Sequence, residues 1–411
     1  MKYIVQSPQA LQPISVSLPA SKSISNRALI LNALSKSSFP IENLSDCDDT
    51  EVMIDAFASD KYEINIGAAG TSMRFLTAYL SQLEGEEHII TGTERMKNRP
   101  IRILVDALRE LGADIEYIEK EGFPPLKING KKLNGGTISL NGGVSSQYIS
   151  ALMMIAPAMK NGLILNLEGE IISKPYIHLT SQMMLDFGVV TNWESNSIQI
   201  EAQVYQPVFY TVESDWSAAS YWYEILALSP ENVEIKLSGL RNNSSQGDAK
   251  ISELFERLGI STEFTETGIS LKKNKNIVSE FVYDFVNEPD MAQTFVVTCC
   301  FMNITFHFSG LQSLKIKETD RISALQKELK KLGYIVADFN DSALKWSGER
   351  CDAVPDTVID TYEDHRMAMA FAPVSLISGK IIINEPQVVS KSYPSFWDDL
   401  KKAGFGIFLN T

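Results

Sequence analysis

Lys22, Ser23 and Arg27 fall within one nine-residue run, Pro19 to Arg27, in which hydroxyls alternate with cations. That material suits an anion: Lys22 is a compact charge, Arg27 a planar fork for two oxygens, and the serines add neutral donors. The run reads equally as Ser23 or Ser25 capping a helix beside two solvated cations. Two later clusters mix acids with cations. Lys315, Lys317, Glu318, Asp320 and Arg321 put five charges into seven residues, and Glu363, Asp364, His365 and Arg366 stand together before an apolar run from Met367. Such mixtures of charge at helix N-termini can bind anionic groups. Lys391 adds a cation between Ser390 and Ser392.

Five further groups are weaker alone. Gly67 to Arg74 is a small-residue turn where a ligand could approach the backbone at Gly70, or where helices pack closely. Arg95, Lys97 and Arg99 put three cations into five residues, which ordinarily makes a solvated basic loop. Ser145, Ser146 and Gln147, like Ser173, Lys174 and Tyr176, read as helix caps or as neutral donor sets. Asp290 follows Pro289 and is either a first-turn acid favoured by the helix dipole or a working carboxylate.

The elements that must hold these residues share one plan. Ile14, Val16 and Leu18 alternate as a strand face, and Ala28, Leu29, Leu31 and Leu34 switch to helical spacing. Lys22 to Arg27 therefore straddle a strand-to-helix turn, where backbone N–H groups lack partners and the dipole is positive. The other clusters also precede helices. A helix, a glycine and a short apolar strand recur with glycines at Gly112, Gly188, Gly259, Gly333 and Gly404, separated by 76, 71, 74 and 71 residues. A unit of about 73 residues is too long for the common solenoids. The spacing predicts six α/β units, the first, near Asp49 to Asn65, degenerate, arranged as two domains of three with a crossover in Tyr210 to Ser217. If the domains face each other, the helix N-termini converge on one cleft.

Composition narrows the classes. A formal charge of −14 argues against nonspecific binding to nucleic acid or an anionic membrane surface. The longest apolar runs, such as Ala151 to Met159, are far shorter than the ~20 residues of a membrane helix, and the first residues lack a signal-peptide pattern, so a cytoplasmic protein is expected. Cys47, Cys299, Cys300 and Cys351 have no metal or disulfide spacing, and the four histidines are scattered. No GxGxxG, GxxxxGK[ST] or GxSxG occurs.

With these motifs in order, the chain resembles the 5-enolpyruvylshikimate-3-phosphate synthase family over essentially its full length. The match rests on Ser21 to Arg27 (SKSISNR), Gly70 to Arg74 (GTSMR), Arg95 to Pro100 (RMKNRP), Ser145 to Gln147, Ser173 to Tyr176 (SKPY), Lys317 to Arg321 (KETDR), Asp364 to Met369 (DHRMAM) and Lys391. The resemblance implies an α/β (α+β) fold of two similar domains, each of three βαβαββ units with helix N-termini facing an interdomain cleft. Residues 22–213 would form one domain, and 1–21 with 214–411 the other.

It also implies transfer of the enolpyruvyl group of phosphoenolpyruvate to the 5-hydroxyl of shikimate 3-phosphate, without cofactor or metal, by a monomer that closes on its ligands. By similarity Asp290 is the proton acceptor and Glu318 the donor to the methylene carbon, with Lys22 assisting and His365 ranked below them. Shikimate 3-phosphate falls to Lys22, Ser23, Arg27, Ser145, Ser146, Gln147, Ser173 and Tyr176, with Asp290 and Lys317 on its hydroxyls. Phosphoenolpyruvate falls to Lys22, Gly70, Arg99, Gln147, Arg321, Arg366 and Lys391.

Four positions depart from the family pattern. Ala68 replaces a common asparagine, which bears on phosphoenolpyruvate affinity and on tolerance to the competitor glyphosate. Phe75 replaces a common proline, Ser313 an asparagine, and Trp216 a small residue. One rival is UDP-N-acetylglucosamine 1-carboxyvinyltransferase, which usually carries a loop cysteine; residues 95–125 have none. Another is a non-catalytic relative, which would have lost Asp290, Glu318 or Lys22.

Overall fold

The computed structural model describes residues 1–58 and 61–410. The chain divides into two compact units, one continuous over Ala20–Val212 and one built from Met1–Pro19 with Glu213–Thr411. Each has its own apolar core. That of the continuous unit gathers around Leu31, Leu76 and Ile149, and that of the other around Trp222, Phe295 and Leu325.

The repeat read from the glycines is present as five four-stranded sheets of one design. In the continuous unit, Glu63–Asn65 pairs parallel with Glu87–Thr91, which pairs antiparallel with Leu126–Asn129, itself paired with Asp114–Tyr117. Helix Gly70–Leu80 links the parallel strands, and Arg102–Glu110 leads to the hairpin. The order is therefore βαβαββ. Gly136–Asn141, Leu163–Glu168, Asn192–Glu194 and Ser197–Ile200 repeat it. In the other unit, Glu280–Asp284, Thr305–Ser309, Ala337–Phe339 and Ala343–Trp346 do the same. All five repeat glycines have positive φ, between 82° and 105°, the backbone region that a chain leaving a helix uses and that only glycine enters without a Cβ penalty.

Two sheets of the discontinuous unit are completed from far along the chain. Ile14–Ser17 runs parallel to Ile235–Ser238, and Lys2–Gln6 lies between Lys380–Asn384 and Gly406–Asn410. Among the described residues, the degenerate unit keeps only a two-stranded pairing, Ile41–Glu42 with Tyr210–Thr211, beside helices Lys22–Leu34 and Asp48–Ala58. Two predicted apolar helices are shorter than their apolar runs. Ser146–Ile155 gives way to a tight turn at Ala156–Ala158, and His365–Phe371 to another at Ala372–Val374. Pro157 and Pro373 sit in those turns, and proline removes the N–H an α-helix needs there.

Candidate active site

In the continuous unit the predicted residues cluster around three helix starts. Arg27 ties them together from helix Lys22–Leu34 and is only 2% exposed. Its Nη1 donates to the Ser23 carbonyl at 2.8 Å, its Nε to Thr180 Oγ1 at 2.7 Å, and its Nη2 to Ser150 Oγ at 3.1 Å and the Tyr176 carbonyl at 3.5 Å. Ser150 lies on helix Ser146–Ile155, and Tyr176 and Thr180 on Lys174–Asp186. The guanidinium expected on substrate is thus largely engaged within the protein, and it brings Ser23, Ser146, Ser173 and Tyr176 into one neighbourhood. Burial lowers its pKa to about 10, so it stays charged at neutral pH. Ser173 occupies the left-handed region at φ 54°, a conformation costly for a residue other than glycine and common at functional sites.

A second group surrounds Gly70, first residue of helix Gly70–Leu80. Arg74 Nη1 donates to the Gly70 carbonyl at 2.6 Å. A Cβ on Gly70 would stand 2.6 Å from Arg99 Nη1 and 2.8 Å from Arg74 Nη1. Two guanidinium groups therefore press against a helix start whose own N–H groups point outward, an arrangement that draws an anion. Gln147 joins through Nε2, which donates to Thr71 Oγ1 at 3.1 Å, and Ser145 caps its helix by accepting from the Gln147 N–H. Lys22 Nζ lies 3.9 Å from Asp49 Oδ2. Lys97, by contrast, pairs with Glu119 at 2.8 Å, the solvated outcome expected of a basic loop.

The discontinuous unit holds the mixed-charge cluster, centred on Arg321, 1% exposed at the start of helix Arg321–Lys331. Its Nε donates to Asp364 Oδ2 at 2.7 Å, its Nη1 to Asp290 Oδ1 at 2.8 Å and its Nη2 to Glu318 Oε2 at 2.8 Å. Arg366 Nη2 reaches Asp290 Oδ2 at 3.1 Å, and Lys317 Nζ stands 3.4 Å from Asp290 Oδ1. Burial works to raise the Asp290 pKa, but Arg366, Lys317 and Arg321 outweigh it and hold the carboxyl well below its usual range. Burial likewise opposes the Arg321 charge, and Asp364, Glu318 and Asp290 overcome it and raise its pKa. Asp364 also caps helix His365–Phe371 by accepting from the Arg366 N–H at 2.9 Å. His365 is buried beside it. Lys391 Nζ donates to the Glu363 carbonyl at 2.8 Å.

Asp364 has a place in the mixed-charge cluster of the sequence but no role there, and it binds Arg321 directly. One further member escapes the sequence reading altogether. Asp248 is buried, accepts from Ser217 Oγ, and thereby meets Arg366, whose Nη2 reaches Ser217 Oγ at 3.5 Å. Burial first, then Asp290, push its pKa up to about 7. Its only signal is the Gln-Gly-Asp turn before a helix. Among the departures, Phe75 is buried with the Arg27 guanidinium 5.3 Å from its ring centre, and Trp216 is buried with its indole N–H donated to Glu213 at 3.0 Å. Ala68 is exposed, and Ser313 is half-buried.

Among the described residues, no group of three or more His, Cys, Asp or Glu side chains could hold a metal ion, and no helix is long and apolar enough to cross a membrane. The family model for EPSP synthase (3-phosphoshikimate 1-carboxyvinyltransferase) matches residues 5–59 and 55–400. A 3-phosphoshikimate 1-carboxyvinyltransferase of Bacteroides fragilis is 61% identical over 408 residues, covering 99% of each chain. One from Vibrio campbellii is 36% identical over 425 aligned positions, covering 95% of this chain and 98% of its own. In fold, the chain is similar to EPSP synthase from Acinetobacter baumannii, with TM-score 0.79, 21% identity and full coverage of both chains. The enolpyruvyl transferase NikO from Streptomyces tendae gives TM-score 0.75 at 15% identity, covering 99% and 98%. With matches spanning its whole length, the chain belongs to the EPSP synthase (3-phosphoshikimate 1-carboxyvinyltransferase) family.

Proposed function

We infer that the chain moves the enolpyruvyl group of phosphoenolpyruvate to the 5-hydroxyl of shikimate 3-phosphate, releasing phosphate, a step of aromatic amino-acid (chorismate) biosynthesis. Family membership carries the reaction, and the single observation that supports the residue roles is Arg321 holding Asp290 and Glu318 on one guanidinium. The chemistry needs a base at the 5-hydroxyl and an acid at the methylene carbon. The hydroxyl oxygen adds to the enol carbon as the methylene becomes methyl; the tetrahedral adduct then loses a methyl proton and expels phosphate.

Asp290 is the base and Glu318 the acid in this reading. An Asp290 carboxylate facing three cations is a weak base. A phosphoenolpyruvate carboxylate that engages Arg321 and Arg366 competes for those cations and raises the basicity of Asp290 when substrate is present. Binding one substrate thereby prepares the group that activates the other. In the continuous unit, Ser23, Ser146, Ser173 and Tyr176 serve shikimate 3-phosphate, while Arg27 orders them and Gly70 with Arg99 serves phosphoenolpyruvate. We also assign a monomer acting in the cytoplasm.

The test is phosphate release by purified protein supplied with both substrates. Turnover with shikimate 3-phosphate is expected. Turnover only with UDP-N-acetylglucosamine as acceptor would replace this reading with its nearest rival.

A further inference from the structure

The helix that begins at Arg321 carries a second buried charge two turns on. Glu328 is 0% exposed, seven residues beyond Arg321 and so on the same helical face, ~10 Å along the axis. Its Oε1 accepts from the Tyr362 hydroxyl at 2.5 Å, and its Oε2 from the Asp360 N–H at 3.1 Å and Lys331 Nζ at 2.7 Å. Lys331 Nζ also donates to the Val358 carbonyl at 3.1 Å and Asp360 Oδ2 at 2.9 Å. The segment entering the Asp364 to Arg366 motif is thus fastened to the far half of the helix.

Between the two attachments the backbone is strained. Tyr362 and Glu363 are consecutive non-glycine residues in the left-handed region, at φ 53° and 55°, which persists only where the surroundings enforce it. Beyond them Asp364 returns to the same helix through Arg321. One helix therefore grips residues 360–364 at both ends, and that grip aims the Arg366 side chain at Asp290 and the Glu363 carbonyl at Lys391.

We propose that Glu328, acting through Tyr362 and the Asp360 N–H, is a positioning residue for Arg366 and Lys391 in phosphoenolpyruvate binding. This rests on the assignment of those two cations to phosphoenolpyruvate. In steady-state kinetics Glu328→Gln presents an amide donor where donors already point. It raises KM for phosphoenolpyruvate at least fivefold and leaves KM for shikimate 3-phosphate within twofold. Tyr362→Phe, which changes a single hydroxyl, gives a smaller shift of the same kind and carries the test if Glu328→Gln does not fold. Lys327→Ala, exposed on the same helix, changes neither constant.

Arg366→Lys separates the two layers. If it leaves KM for phosphoenolpyruvate unchanged, the underlying assignment fails. If it raises that KM and folded Glu328→Gln or Tyr362→Phe does not, the positioning role is overturned. Combining Glu328→Gln with Arg366→Lys should add less than twofold to the effect of Arg366→Lys, and fully multiplicative effects overturn the coupling.

Discussion

Arg27 and Arg321 are both almost completely buried, and their surroundings are opposites. Arg27 binds hydroxyls and carbonyls, all neutral, and burial lowers its pKa. Arg321 binds three carboxylates, and its pKa rises. The first arrangement keeps a net positive field around helix starts rich in hydroxyls, which suits a passive anion seat. The second balances Asp290, Glu318 and Asp364 against Arg321, Arg366 and Lys317, so small changes in one partner alter the basicity of another. A buried cation held by neutral groups and one held by carboxylates differ in how they respond to a further charge, and each unit of the chain shows one of the two.

The contrast can be broken in graded ways. Asp290→Asn removes the carboxylate proposed as the base and should lower kcat by about 10³-fold, read as phosphate release at saturating substrates; a loss under tenfold would remove Asp290 from that role. Arg321→Met strands three carboxylates and should destabilise by about 4 kcal/mol at pH 8. Without the cation those carboxylates take up protons more readily in the folded state, so the deficit shrinks towards pH 5. Arg27→Met strands neutral groups and should cost about 2 kcal/mol, unchanged between pH 5 and 8. Denaturation midpoints at both pH values compare the two, and identical pH dependence would erase the distinction.

Asp248→Asn probes the margin of the charged cluster. An acid whose folded pKa is raised from 3.8 to about 7 holds its proton more tightly folded than unfolded. The protein therefore loses stability as pH climbs from about 4 to 7, and no further loss follows above that. The asparagine variant should gain on the parent by about 4 kcal/mol over that window, with Asp290, Arg366 and Asp215 as the groups facing the site. A constant difference from pH 4.5 to 7.5 would contradict it. The smallest effect belongs to the continuous unit, at the helix start flanked by Arg74 and Arg99. Gly70→Ala displaces the Arg99 guanidinium and should raise KM for phosphoenolpyruvate about fivefold with kcat nearly intact.

The parts legible in the sequence were those with local causes. A chain leaving a helix needs a positive φ, so the glycines at positions 112, 188, 259, 333 and 404 marked five sheets before any strand was paired. Charges at helix starts marked both clusters. What stayed hidden depends on distant partners. Ser150 and Thr180 lie 123 and 153 residues from Arg27, so nothing near Arg27 indicated that its donors are engaged. Glu328, inside Lys-Glu-Leu-Lys-Lys, carries no local sign of its burial because its partners Asp360 and Tyr362 come from a later segment. The two-stranded first unit lacks the hairpin that made its siblings visible.

The sheet that sets Lys2–Gln6 between Lys380–Asn384 and Gly406–Asn410 also dictates an order of events during synthesis. Residues 20–212 are contiguous and can bury their core while the ribosome is still translating the second half. The opening strand must wait for partners made last, as the pairing of Tyr3 with Leu409 requires. Contacts so distant in sequence form slowly, so the nascent chain spends much of its production with one unit folded and the other still open to chaperones and proteases.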